Sequence, residues 1–232
     1  MILCPVCSAP NHHLAIVCVS CKGYIQQKID NLDLFHTLWT IIESPRKGFH
    51  TIALSQHKNY SLVVSGVAGI GLLFTSFWLL KVGDRNTQLI NILIAGLCIG
   101  FPFGICFALA ATWITKITAG IFGNELLFRD AFAVISYSLL PIAFSAIFIL
   151  PLEVMTFGIY LFTRTPSPGT LYPVSFAIVC VLDAACGIWT ILLYVLGLKV
   201  LMGSEIRSVL TVALVSVTIL SAIFYFLYLQ FR

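Results

Sequence analysis

The chain has 232 residues, 59% of them hydrophobic and 9% charged, with a net charge of +4 and a mean hydropathy of +1.02. A soluble domain of this size carries about 25% charged residues, so the composition excludes an ordinary soluble domain and implies an integral membrane protein. The lipid bilayer is its first partner, and no nucleic acid is expected among the others.

Residues 4 to 21, CPVCSAPNHHLAIVCVSC, stand apart from this apolar background. Cys4 and Cys7 form one C-x2-C pair and Cys18 and Cys21 a second. Thiolates two residues apart let the N–H groups of a tight knuckle point at sulfur, and two knuckles complete a tetrahedron around a zinc ion. Pro5 and Gly23 suit the turns that such knuckles need. The spacing therefore predicts a zinc ribbon over residues 1–28 that holds one structural Zn²⁺ per chain. An iron-sulfur cluster, a redox dithiol or two disulfides are the alternatives. His12 and His13 fall in the intervening loop and are read as solvent-exposed, because four thiolates already close the site.

Residues 29–58 are neither apolar enough to span a bilayer nor polar enough to be disordered. Leu34, Leu38, Ile41 and Ile42 recur at helical spacing beside Phe35 and Trp39, which predicts an amphipathic helix lying in the headgroup region. Ser44 is placed to cap the next helix, with Pro45 at its first position. Arg46 and Lys47 follow at once and read as positive-inside anchoring, with anionic-lipid or phosphate binding as the alternative.

From residue 59 to 232 the chain is dominated by uncharged runs. They lie between Lys58 and Lys81, Arg85 and Lys116, Asp130 and Glu153, Thr165 and Leu198 with Asp183 as the single charge, and Arg207 and Arg232. A helix needs about 20 apolar residues to cross the hydrocarbon, so five spans are predicted. The fold expected is an all-α integral membrane bundle of five transmembrane helices, preceded by the zinc ribbon and the interfacial amphipathic helix. No signal peptide is recognisable, so the first span is expected to serve as its own insertion signal. With five spans, Lys22, Lys28, Arg46, Lys47, Lys58, Lys116, Arg129, Lys199 and Arg207 share one side, against Lys81, Arg85, Arg164 and Arg232 on the other. That asymmetry places the N-terminus in the cytoplasm and the C-terminus outside. It also puts the cysteines in a reducing compartment, where disulfides rarely persist.

In the second span Gly96, Gly100, Gly104 and Ala108 place a small residue at every fourth position, a ladder for helix packing within the chain or between copies as a homo-oligomer. GVAGIG, Gly66 to Gly71, lacks the context of a nucleotide loop and reads as tightly packed helix. The third run is too long for one unbroken span, and Pro141 and Pro151 are expected to kink or end it. Tyr137, Pro141 and Ser145 share one helix face. Asp183, Gly187, Thr190 and Tyr194 share another, so the two stripes are predicted to face each other. A carboxylate inside a span is costly, and Asp183 is either an ion path or relay, or a structural group hydrogen-bonded to Tyr137 or Ser145. Glu153 is read as wetted near the outer interface. Cys98, Cys106, Cys180 and Cys186 read as small core residues.

The segment GNELLFRDAFAVISYSLLPIAF, Gly123 to Phe144, resembles the signature of the Yip family, named for interaction with Ypt/Rab GTPases. There a glycine and a short polar turn lead into a span with a Gly-Tyr-x-x-x-Pro-like motif, here Ser136-Tyr137-Ser138-Leu139-Leu140-Pro141. ESPRKGFHTIA resembles the approach to the family's first span, and GIWTILLYVLGLKVLMG its fourth span and following loop. Ser136 stands where the family has glycine, and the Asp-Leu-Tyr-Gly-Pro motif of eukaryotic members is absent. A zinc ribbon before such a domain resembles prokaryotic members, so a bacterial or archaeal cytoplasmic membrane is expected, where Rab partners are missing. The resemblance implies a non-enzymatic protein that organises membranes or recruits a cytosolic partner, here through residues 1–28. The competing reading is a small ion or solute transporter or channel using Asp183, against which no internal repeat is recognisable. An intramembrane enzyme is disfavoured because every histidine precedes the first span and no paired catalytic motif is present.

Overall fold

The computed structural model describes residues 2–12, 14–26, 29–58 and 60–230. His13 in the cysteine loop, and Lys28 and Arg232 in the charge count, lie outside the described residues. The chain forms two compact units, one of Met1–Asn59, Thr112–Val134 and Val195–Arg232, the other of Tyr60–Ala111 and Ile135–Tyr194.

The first unit opens with β1 (Ile2–Leu3) paired antiparallel to β2 (Pro10–Asn11), followed by an antiparallel bridge between Val17 and Tyr24. Each cysteine pair closes the same turn. The Cys4 N–H donates to the Ala9 carbonyl at 3.0 Å and the Ser8 N–H to the Cys4 carbonyl at 2.9 Å. One pair later, the Cys18 N–H donates to Gly23 at 2.9 Å and the Lys22 N–H to Cys18 at 3.1 Å. The left-handed residue that reverses each turn is Ser8 (φ 55°) or Lys22 (φ 58°). Gly23, the glycine expected to serve its turn, instead supplies a carbonyl acceptor one residue further on.

β3 (Ile29–Asn31), α1 (Leu34–Glu43), α2 (Pro45–Leu54) and β4 (Ser55–His57) follow. Asp33 caps α1, its Oδ1 accepting the His36 N–H at 2.9 Å. Thr37 and Ile41 are buried while Phe35 and Trp39 stay exposed, so the aromatic side of α1 is left outward. Ser44 sits at the N-cap position of α2 with Pro45 behind it, yet its side chain makes no capping hydrogen bond. Gly48 lets α2 close on α1, because a Cβ there would lie 2.8 Å from Ile41. The parallel pairing of β3 with β4 was not expected in a segment read as surface helices. Three-residue strands show no alternation long enough to detect.

The apolar part comprises α3 (Ser61–Leu80), α4 (Leu89–Ile121), α5 (Phe128–Ser138), α6 (Leu140–Phe144), α7 (Leu150–Phe157), α8 (Pro168–Leu171), α9 (Pro173–Met202) and α10 (Glu205–Gln230). A π-helical stretch, Ser145–Ile149, joins α6 to α7, and a 3₁₀ turn, Gly158–Phe162, follows α7. Among the described residues four helical stretches are long and apolar enough to cross a membrane: Ser61–Leu80, Leu89–Ile121, Leu140–Phe162 and Pro173–Met202. The fifth expected span coincides with α10, a helix of 26 residues. The third span begins later than the uncharged run suggested, because Phe128–Ser138 forms a separate helix. The break at Leu139 precedes Pro141, and the π-helical stretch precedes Pro151. Each proline lacks the N–H that the preceding turn would bind, so the regular ladder gives way just ahead of it.

Within the second unit Phe74, Ile92, Phe157, Leu161 and Phe162 form a buried cluster. The Arg164 N–H donates to Asp84 Oδ1 at 3.0 Å, which ties the loop after α3 to the loop after the third span. Lys81 lies over the Trp78 ring at 4.8 Å, at the end of α3. In the first unit Lys58, with its side chain 4% exposed, pairs with Asp130 at 3.3 Å and also donates to the carbonyls of Ile52, Ala53 and Ser55. One ammonium group thus finishes α2 and meets the first turn of α5.

Candidate functional site

The two knuckles bring Cys4, Cys7, Cys18 and Cys21 together, with all four sulfurs within 4.8 Å of one another. Cys4 and Cys21 are 3.6 Å apart, as are Cys7 and Cys18. Four sulfurs at about 2.3 Å from a shared zinc ion stand about 3.8 Å apart, so the spacing suits a tetrahedral metal. All four cysteines are free. The Val6 N–H points at Cys4 Sγ at 3.4 Å, as a metal knuckle requires. Exposed His12 is not part of the sulfur cluster; its Nδ1 accepts the Leu14 N–H at 3.3 Å.

Electrostatics fit the same reading. The Cys21 N–H, followed by that of Ser20 and the Asn11 side chain, pulls the Cys18 thiol down to about 6. The Cys7 and Val6 N–H groups lower Cys4. Cys21 receives the Gly23 N–H, which favours its thiolate, but the crowding sulfurs of Cys7 and Cys4 outweigh it and push the thiol up to about 12. Four sulfurs this close ionise together only around a cation. A metal held by all four sulfurs would have no open position for water or substrate.

Asn11 is the residue that sequence reasoning missed here. It is 4% exposed; its Nδ2 donates to the Ala9 carbonyl at 2.8 Å and to Cys18 Sγ at 3.5 Å, while its Oδ1 accepts the Val19 N–H at 2.9 Å. A single amide thereby locks one knuckle to the other. Its only sequence signal is its place midway between the two pairs.

In the second unit the Ser145 hydroxyl donates to Asp183 Oδ1 at 2.7 Å. Both line a cavity of about 360 Å³ that also holds Glu153, so three of the six expected polar residues share one space. Tyr137, Thr190 and Tyr194 do not line it. Tyr137 is fully buried, and Thr190 Oγ1 is buried without a hydrogen-bond partner among the described residues. Cys180 and Cys186, read from sequence as core fillers, line the cavity because they fall three residues on either side of Asp183.

The small-residue ladder packs against α3 within the chain. A Cβ on Gly104 would lie 2.1 Å from the Ser65 carbonyl oxygen, one on Gly69 2.1 Å from the Gly104 Cα, and one on Gly100 2.7 Å from the Ile70 Cα. A Cβ on Gly96 would meet the Phe74 ring at 2.3 Å, and one on Gly66 the Phe101 ring at 2.5 Å.

Neither the comparison with curated proteins nor that with solved structures gives a match. A family comparison does: the Yip1 domain matches residues 39–229, from within α1 to the end of α10. The matched stretch contains every apolar helix described above and leaves the cysteine centre outside it. By this match over most of its length, and by the several apolar helices within it, the chain is a membrane protein that belongs to the Yip1 domain family.

Proposed function

We propose that the protein is a non-enzymatic membrane organiser or adaptor, whose cytoplasmic zinc ribbon recruits a soluble partner to the bilayer. The observation that carries this reading is the closed sulfur cluster: four ligands in tetrahedral spacing fold a knob too small to hold a hydrophobic core of its own. A metal-folded knob attached to an apolar helical domain presents a rigid surface without offering a reactive position. The proposed setting is a bacterial or archaeal cytoplasmic membrane, with α10 as the fifth span and the N-terminus inside.

The test is affinity capture from native membranes with the full chain and with Cys4→Ser plus Cys21→Ser, alongside zinc analysis of both. One zinc per parent chain, and a set of cytosolic proteins lost with the double variant, is the expected outcome. An identical protein set from both would remove the adaptor reading, and less than about a third of an equivalent of zinc in the parent would remove the zinc centre.

A second reading rests on a different observation, two carboxyl groups in one intramembrane cavity. A transporter or channel would use Asp183 and Glu153 along a solute or ion path. Asp183→Asn should then stay folded and lose coupled flux in liposomes. Under the adaptor reading neither the parent nor the variant shows flux, and Asp183→Leu destabilises the fold by leaving Ser145 without its acceptor.

A further inference from the structure

The first unit contains a recess of about 510 Å³ between α2 and the last turns of α9. Its α2 wall carries Arg46, Lys47 and His50; its α9 wall carries Leu196, Lys199 and Val200. The spacing explains the convergence. Arg46 and His50 are four residues apart on one face of α2, and Leu196, Lys199 and Val200 fall at i, i+3 and i+4 on one face of α9. The two walls are held at close range by Gly197, where a Cβ would lie 2.4 Å from Val134 and 3.1 Å from the Phe49 ring.

Three cations, Arg46, Lys47 and Lys199, meet here, and the carboxylate of Glu205 lies beside two of them. Glu205 bonds to Lys199 and also feels the charge of Arg46, so the chain's own anionic group already sits within the field of both. Glu205 is exposed at its outer side and neutralises only part of the charge. The recess therefore keeps a net positive rim. Leu196 and Val200 give it an apolar floor, on a helix long and apolar enough to cross a membrane. A free anion has no use for that floor, whereas a phospholipid carries its phosphate directly above apolar chains.

We propose that this recess binds the phosphate headgroup of an anionic lipid, with Arg46, Lys47 and Lys199 on the phosphate and Leu196 and Val200 against the start of the acyl chains. The site makes the junction of α2 and α9 selective for lipid chemistry. Dispersed surface charge would instead attract any anionic membrane without a discrete stoichiometry.

The experiment titrates the detergent-solubilised full chain with phosphatidylglycerol, and separately with phosphatidylcholine, and counts bound lipids by native mass spectrometry. The parent should retain one phosphatidylglycerol in preference to phosphatidylcholine. Arg46→Gln plus Lys47→Gln should weaken that binding about tenfold, while the charge-matched Lys116→Gln plus Arg207→Gln, outside the recess, should change it less than about twofold. Equal losses in the two double variants, or equal retention of the two lipids by the parent, would overturn the site. Displacement of phosphatidylglycerol by millimolar inorganic phosphate would assign the recess to a free anion and overturn the lipid. Melting temperatures in phosphatidylcholine check the fold. If the first double variant melts early, Lys47→Gln alone, on an exposed side chain, should still weaken binding about threefold, and no change would count against the proposal.

Discussion

Ser136 shows how much one hydroxyl matters in this chain. It is fully buried, its Oγ has no hydrogen-bond partner among the described residues, and it stands where the Yip family signature has glycine. An unsatisfied buried hydroxyl costs about 1–3 kcal/mol, more than the small helix preference for alanine over serine adds. Ser136→Ala should therefore raise the thermal stability of the detergent-solubilised protein by about 1 kcal/mol, and a lower melting temperature would show that the hydroxyl has a partner. At this scale the sequence was informative where chemistry forces a partner. Two C-x2-C pairs have few uses besides metal, and an acid inside a span must find a donor, which here is Ser145. It was uninformative where the role depends on folding. Asn11 reaches Cys18 only after the first turn has closed, and Glu153 meets the Asp183 cavity only because the third span continues through a π-helical stretch to Phe162.

Elements are held by two devices of opposite kind, close backbone approach and a buried ion pair. The approach of α3 to α4 leaves no room for a side chain at Gly104, whose Cβ would fall 2.1 Å from a backbone oxygen, whereas a Cβ at Gly120 would meet nothing within 4 Å. Gly104→Leu should abolish a folded, monodisperse protein, and Gly120→Ala should leave melting unchanged or raise it by up to about 1 kcal/mol through helix propensity. The ion pair is Lys58 with Asp130. Lys58→Met leaves Asp130 with only the exposed Arg129 at 4.0 Å among the ion pairs of the described residues and removes the donor from three carbonyls, so a loss of about 2–4 kcal/mol is expected at neutral pH. Burial lowers the Lys58 ammonium below its ordinary value, and Asp130 restores only part of the shift. The folded state thus releases this proton at lower pH than the unfolded chain. Between the lowered value and the ordinary lysine value, about 10.4, the unfolded state binds more protons, and stability from this group rises with pH. The advantage of the parent over Lys58→Met should therefore grow from pH 8 to pH 10.5; a shrinking advantage would mean that Asp130 dominates burial. Spans and the amphipathic α1 were legible because long periodic segments carry their own signal. The β3–β4 pairing was not, because it joins residues distant in sequence; nothing in the structure explains why Ser44 makes no cap.

For the whole molecule, the loop contacts bear on how many times the chain crosses the bilayer. Lys58, just before α3, pairs with Asp130, which follows α4, and Lys199 near the end of α9 pairs with Glu205 beside the α2 recess. Asp84, just after α3, holds the backbone of Arg164, just after the third span. These pairings join loops that an even number of crossings separates, as four spans from α3 to α9 require. The basic residues divide the same way, with Arg46, Lys47, Lys58 and Lys199 in the first group of loops and Lys81, Arg85 and Arg164 in the second. If positive-inside bias holds, the first group, and the cysteines with it, should lie in the cytoplasm, the orientation proposed above. α10 decides the remainder: its 26 residues are about 39 Å long, enough to cross about 30 Å of hydrocarbon. Fusing a periplasmically active phosphatase after Gln230 should give activity, and a cytoplasm-dependent fluorescent protein at the same position should stay dark. The reverse pattern is expected for fusions at Gly203, before α10. Cytoplasmic reporters at both positions would leave α10 on the inner surface and reduce the domain to four spans. External signal at Gly203 would invert the whole orientation and remove the zinc centre from the reducing side.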